Sequence, residues 1–326
     1  MFNPREVPTY PPAEFSAPKA DSIDVALGTA VLDVMREVGF VNLRLDPEQN
    51  EVMEELFAAS QGFFAQPLAD RMRHIDEPSH RAVGYRPHGA AYTGERMKLD
   101  WNDSLITRRL GGKEVSIPGD DDPKIARLIT AMGSFRDLIA APAVRTVDAA
   151  LAVYYDYMHD IPSDEGSVVQ INDYCLSDER GESGVEDIPL DSPEEPELQG
   201  EHEDGVRITV LSSNWHGLVG RTNNGLYVPI NHGSKGKRAV SVFAGGVLEE
   251  STAGEIRAFR HKAYNYMTPE SDARRFVPTY FSSPDVHPGV VIPAYKGDAD
   301  VAASAEEATK QFGIGENFVN RGNLSV

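Results

Sequence analysis

Apolar positions in the first third of the chain recur at helical spacing. In residues 23–38, IDVALGTAVLDVMREV, Val25, Ala26, Thr29, Leu32, Val34 and Met35 fall near one helical period, and Gly39 follows as a stop. A short apolar run, FVNLRL, predicts a strand. Asp46 then stands as the cap of a second helix over PEQNEVMEELFAASQGFFA, with Pro47 in its first position. Residues 79–109 are broken by Gly84, Pro87 and Gly89 and read as irregular or extended. Residues 122–158 return to a long helical pattern that Pro142 is expected to break or kink.

The period changes in the second half. SVVQINDYCL, VRITVLSS, GLVGRT, GLYVPI, AVSVFAG, IRAFRHKAYNYM and RRFVPTYF alternate β-branched or aromatic residues with others and are separated by Gly, Asn and Pro turns. Seven or eight short strands predict a barrel or sandwich, so the fold class is mainly β with flanking α-helices. Between the first two lies an acidic stretch rich in Pro, Gly and Ser, residues 178–200, which reads as a surface loop inserted into the β region. The 326 residues divide as one domain: a helix-rich part to about 160, a β core over about 165–285 and an extension over 286–326.

Composition narrows the function. A formal net charge of -20 opposes phosphate backbones and anionic membranes, so nucleic acid and membrane surfaces are not expected partners. No apolar run reaches the roughly 20 residues of a membrane span, and the first residues, MFNPREVPTYPPAEF, lack the apolar core of a secretion signal; a cytoplasmic location is expected. The single cysteine, Cys175, forms no internal disulfide or Cys-rich metal site and reads as a buried bystander, so a metal would take His and carboxylate ligands.

Such ligands stand in QGEHEDGVRITVL. His202 and Asp204 are two apart, which on an extended strand turns both to one face and Glu203 to the other. Among the later histidines His261 stands alone in mid-strand, whereas His216 and His232 lie near turns. Two histidines and one carboxylate make the facial arrangement that holds ferrous iron with open positions. An isolated His-x-Asp is a weak signal, since solvated acidic loops supply many.

The order of motifs makes it specific. VGFVNLRL, then FFAQPLADR, GYRPHG, LDWNDS, the Asn-x-Tyr of Asn172 and Tyr174, His-x-Asp, HGLVGRTNNGLYVPI and a distal His with a basic neighbour succeed one another along most of the chain. In this the sequence resembles the isopenicillin N synthase-like family of Fe(II)- and 2-oxoglutarate-dependent dioxygenases. The resemblance implies a distorted jelly-roll, or double-stranded β-helix, with helices packed around it. It implies iron on His202, Asp204 and His261, with 2-oxoglutarate and dioxygen as co-substrates. It also implies oxidation of an unactivated C–H bond of a small molecule, by hydroxylation, desaturation or ring closure. An amino acid or a natural-product intermediate of secondary metabolism is the expected kind of substrate.

The family's distal carboxylate site is an Arg-x-Ser pair near a proline. Aligned on Pro278, RRFVPTYF places Arg274 at the arginine position, with Arg275 as the second choice, and Phe276 where the serine stands. Tyr174 is expected to add a hydroxyl donor, and Asn172 to hold either co-substrate or substrate. Tyr85, Arg86, Lys98 and Trp101 fall where the family lines its substrate pocket. Loss of the serine keeps a 2-oxoglutarate-independent iron oxidase of the same fold open, and a non-catalytic jelly-roll that binds a metabolite is the reading outside enzymology. No phosphate loop, dinucleotide fingerprint or nucleophile elbow is present.

Overall fold

The structure is a computed structural model that describes residues 15–76, 83–87, 92–93, 98–99, 102–110, 112–155, 166–174, 197–215, 217–264 and 274–282. Cys175, Trp101, His216, most of the acidic insert and the extension over 286–326 lie outside those residues.

Helix α1 (Val25–Glu37) is capped by Asp24, whose carboxylate accepts from the Leu27 N–H. Helix α2 (Pro47–Phe64) starts with a full capping box: Asp46 accepts from the Gln49 N–H, and the Gln49 side chain accepts from the Asp46 N–H. Two further helical segments follow, α3 (Leu68–Arg71) and α4 (Pro123–Phe135), the latter capped by Asp122. The break expected at Pro142 takes another form. A single π-helical stretch, Arg136–Ala140, leads directly into α5 (Ala141–Tyr154), which places Pro142 in the first turn of α5. The wider turn accommodates a residue that lacks an N–H and crowds the carbonyl four back. A short α6 (Gly246–Ser251) lies between two late strands.

The strands are β1 (Phe15–Ser16), β2 (Phe40–Arg44), β3 (Gly84–Arg86), β4 (Tyr92–Thr93), β5 (Lys98–Leu99), β6 (Asp103–Leu110), β7 (Lys113–Glu114) and β8 (Val168–Tyr174). They continue as β9 (Glu197–His202), β10 (Ile208–Leu211), β11 (Leu218–Arg221), β12 (Tyr227–Ile230), β13 (Gly233–Ser234), β14 (Lys237–Ala244), β15 (Arg260–Tyr264) and β16 (Arg275–Phe281). The segment read as irregular or extended, 79–109, contributes β3 to β6. One sheet runs β1-β2-β14-β10-β16-β8-β6-β3, and a four-stranded sheet runs β12-β11-β15-β9.

The two faces of the large sheet meet different partners. Val169, Ile171, Val210, Val240, Val242, Phe276 and Tyr280 belong to a core shared with α1, α2, α4 and α5. Tyr174, Leu211, Phe243 and Val277 belong to a second core with Leu198, Leu218, Val228, Ile230 and Ala263 of the small sheet. Burying both faces makes the central strands nearly continuous apolar runs. The result is the jelly-roll expected from the sequence: two facing sheets with helices on the outside. No helix among the described residues is long and apolar enough to cross a membrane.

Candidate metal centre

His202 ends β9 and lies directly opposite His261 of β15, so the antiparallel pairing alone sets the two imidazoles side by side. Their ring centroids are 4.4 Å apart. Asp204 joins them by a different route from the expected strand alternation. It sits in the turn after β9, where its carbonyl accepts from the Gly246 N–H at 2.8 Å. The neighbouring Gly245 permits this approach, because a Cβ there would fall 2.1 Å from the Val206 carbonyl oxygen and 2.6 Å from that of Asp204. Glu203, as expected, takes no place in the group.

The buried donor atoms of His202, Asp204 and His261 all lie within 4.8 Å of one another. Asp204 Oδ1 stands 3.6 Å from His202 Nε2 and 3.8 Å from His261 Nε2. Each histidine is fixed from behind: His202 Nδ1 is 2.7 Å from the Gly200 carbonyl and His261 Nδ1 is 3.0 Å from that of Phe259. A carbonyl only accepts, so each Nδ1 carries the proton and each Nε2 presents its lone pair. Thr209 donates to Asp204 Oδ2 at 2.6 Å, leaving Oδ1 toward the imidazoles. Three lone-pair donors converge on one point, each held by its own hydrogen bond, which is the donor set and supporting shell that ferrous iron requires.

Thr209, Gly245, Phe243 and Phe259 were not singled out in the sequence. The alternation in RITVL did place Thr209 on the face opposite Ile208 and Val210, which was the available signal. Phe243 packs 5.0 Å from the His261 ring, and Phe259 stacks near-parallel to it, giving the site an apolar wall. His232 serves elsewhere, buried with Nε2 2.9 Å from the Ser241 hydroxyl.

The structure places the two arginines on opposite faces of the strand. Arg274, the first choice, turns to the helix side and pairs with Asp173. Arg275 turns between the sheets, its guanidinium 4.7 Å from the centre of the Tyr174 ring directly opposite on β8. It shares that face with Val277, whereas Phe276 stacks on Phe64 of α2. Of the two arginines, Arg275 thus lies on the face between the sheets, with Val277 two residues on and Phe276 on the opposite face.

The remaining candidates divide. Tyr174 is buried between the sheets and donates its hydroxyl to Gln199 at 2.9 Å. Asn172 lies on the same face, opposite Val277. Tyr85 is fully buried on the helix side, against Phe63, donating to Asp103 at 2.8 Å. Arg86 lies opposite Ser104, on the same face as Asn172, and is half-buried. Lys98 lies in β5, paired with Thr93.

Behind the site, Asp103 and Asp173 oppose each other on β6 and β8, accompanied by Arg71, Arg274 and Tyr85. Burial pushes the Asp173 carboxyl up to about 7, with Asp103 adding to the shift and Arg274 opposing it. A raised folded-state value means that the folded protein holds a proton the unfolded chain releases. The associated stability is full below about pH 4 and is lost as pH rises to about 7, at up to about 1.4 kcal/mol per pH unit. Asp173→Asn is expected to flatten denaturant stability measured across that window.

Known proteins share this architecture. Residues 11–123 match the family model for the N-terminal region of non-haem dioxygenases in morphine synthesis. No curated protein matches the chain by sequence. Among solved structures, a full-length Neurospora crassa protein in complex with alpha-KG superposes with a TM-score of 0.60, at 20% identity over 80% of each chain. A 2OG-Fe(II) oxygenase family protein from Caulobacter crescentus gives 0.60 at 18% identity, over 79% of this chain and 81% of that one. The dioxygenase for auxin oxidation 1 of Arabidopsis thaliana, in complex with 2-oxoglutarate, gives 0.56 at 16%, over 82% and 92%. The resemblance read from the sequence is borne out, and the fold is that of these oxygenases.

Proposed function

We propose that the chain is a non-haem Fe(II)- and 2-oxoglutarate-dependent oxygenase that oxidises a C–H bond of a small organic molecule. The observation that carries the reading is the buried triad of His202, Asp204 and His261, with both Nε2 lone pairs and one carboxylate oxygen aimed at a common point. The solved relatives that share the fold hold alpha-KG in N. crassa and 2-oxoglutarate in A. thaliana, and the N. crassa protein has also been captured with thymine.

Iron held by this triad would supply the activation of dioxygen that 2-oxoglutarate-dependent oxidation requires. The chain's own residues do the rest. His202, Asp204 and His261 would hold the iron through two imidazole nitrogens and one carboxylate oxygen. Arg275 offers a guanidinium fork to the distal carboxylate from the floor between the sheets. Phe243 and Phe259 pack against the His261 ring and shield that side from water, and the Gly200 and Phe259 carbonyls hold the imidazoles in the ligating tautomer.

The missing serine favours one second reading, an iron oxidase of the same fold whose substrate ligates the metal without 2-oxoglutarate. Succinate separates them. Anaerobically Fe(II)-loaded protein, given 2-oxoglutarate and air, is expected to release succinate in step with oxidised product; product formed without added 2-oxoglutarate would establish the second reading instead. Failure to bind Fe(II) anaerobically would refute both.

A further inference from the structure

Gly220 of β11 stands directly opposite His261, on the same face of the small sheet. The space that a side chain would take there belongs to Phe259. A Cβ on Gly220 would lie 1.9 Å from Phe259 Cζ, 2.6 Å from Cε1 and 2.9 Å from Cε2. Gly39 closes on the same ring from another side: its φ is 107°, and a Cβ there would lie 3.0 Å from Phe259 Cδ2. The ring so seated is buried, its centroid 5.0 Å from those of Phe40 on β2 and Phe243 on β14. Phe259 meets His261 twice. Its plane lies within 13° of the imidazole, and its carbonyl accepts from Nδ1 at 3.0 Å.

We infer that Gly220 is a positioning residue for the metal centre: by carrying no side chain it admits the Phe259 ring, which sets the angle at which His261 presents Nε2. A methyl group at 220 would meet a rigid ring already backed by Phe40 and Phe243, with no flexible chain end to give way. Either the ring or β11 must then move. Both are tied to His261, the ring through its own residue's carbonyl and β11 through strand pairing. The contact at 220 falls short of an ordinary carbon–carbon separation of about 3.5–4.0 Å by more than the roughly 0.5 Å to which a metal site must be held.

The inference rests on the proposed function for the identity of the metal, and its test separates the two. Anaerobic Fe(II) titration, the visible spectrum of the Co(II)-loaded protein and urea denaturation of the metal-free protein are compared for wild type, Gly220→Ala, Phe259→Leu and the double variant. Gly220→Ala is expected to weaken Fe(II) by about 10- to 100-fold, as when a ligand loses its orienting partner, and to alter the Co(II) spectrum. Phe259→Leu keeps the carbonyl and should cost less affinity. In the double variant the smaller side chain clears the added methyl, so Fe(II) affinity and the Co(II) spectrum should return to those of Phe259→Leu. Gly220→Ala that lost urea stability while binding both metals as the wild type does would make Gly220 a packing residue only and overturn the inference. A double variant that bound Fe(II) more weakly than Phe259→Leu would also overturn it, and this comparison holds even where Gly220→Ala does not fold. Wild-type protein that bound neither metal would overturn the proposed function and this inference with it.

Discussion

Asp204→Ala is expected to abolish Fe(II) binding and to lower turnover by well over a hundredfold, without unfolding the protein. Losing a ligand's hydrogen-bond partner typically costs about 10- to 100-fold in metal affinity or activity, and losing the ligand itself must cost more. Asp204 is the anionic member of the three, so its removal leaves two neutral imidazoles facing a divalent ion. The fold should tolerate the change because the carboxylate is buried beside His202 and His261, with Thr209 as its close hydroxyl partner. A buried carboxylate with little neutralising charge adds little or nothing to stability in the metal-free protein. Thermal denaturation with and without Fe(II) makes the distinction. The wild type should gain stability on adding Fe(II), because the ion binds only the folded site. Asp204→Ala should melt at or above the metal-free wild type and show no gain. Thr209→Val is the graded control: Asp204 stays and loses its orienting donor, so affinity should fall by about 10- to 100-fold and the gain should shrink. An Asp204→Ala protein that still gained stability with Fe(II) would remove this residue from the metal.

Much of this was legible in the chain because the relevant signals are local. Asp46 and Pro47 marked the start of α2 to the residue, and His202, Asp204 and His261 declared a metal site through type and order. What was hidden depends on which side of a strand a residue takes. Alternation assigns faces only where one face is polar, and β16 is buried on both: Phe276 and Tyr280 pack under the helices while Val277 lies between the sheets. The run RRFVPTYF therefore offers no contrast, and aligning on Pro278 does not show which arginine turns between the sheets. The side that Tyr85 takes was hidden for the same reason, since it too is buried, against Phe63.

The placement of the two arginines on opposite faces yields the most divergent pair of expected results. Arg275→Ala should raise the KM for 2-oxoglutarate by at least about a hundredfold, the equivalent of the two charge-assisted hydrogen bonds of a guanidinium fork. It should leave Fe(II) affinity unchanged, since the metal's donors come from β9, its following turn and β15. Arg275→Lys keeps the charge but loses the fork and should recover only part of the affinity. Arg274→Ala should do the opposite. Arg274 pairs with a fully buried Asp173, and removing one partner of a buried ion pair costs about 3–5 kcal/mol because the other charge is stranded. That loss should be smaller at pH 6 than at pH 8, because Asp173, already raised to about 7, takes up a proton once its cation is gone. The KM for 2-oxoglutarate should stay near the wild-type value wherever Arg274→Ala remains folded. Steady-state kinetics and urea titrations at the two pH values read both effects. A KM that followed Arg274 and ignored Arg275 would give the carboxylate site to Arg274, as the proline alignment has it, and place Arg275 among the structural residues of the floor.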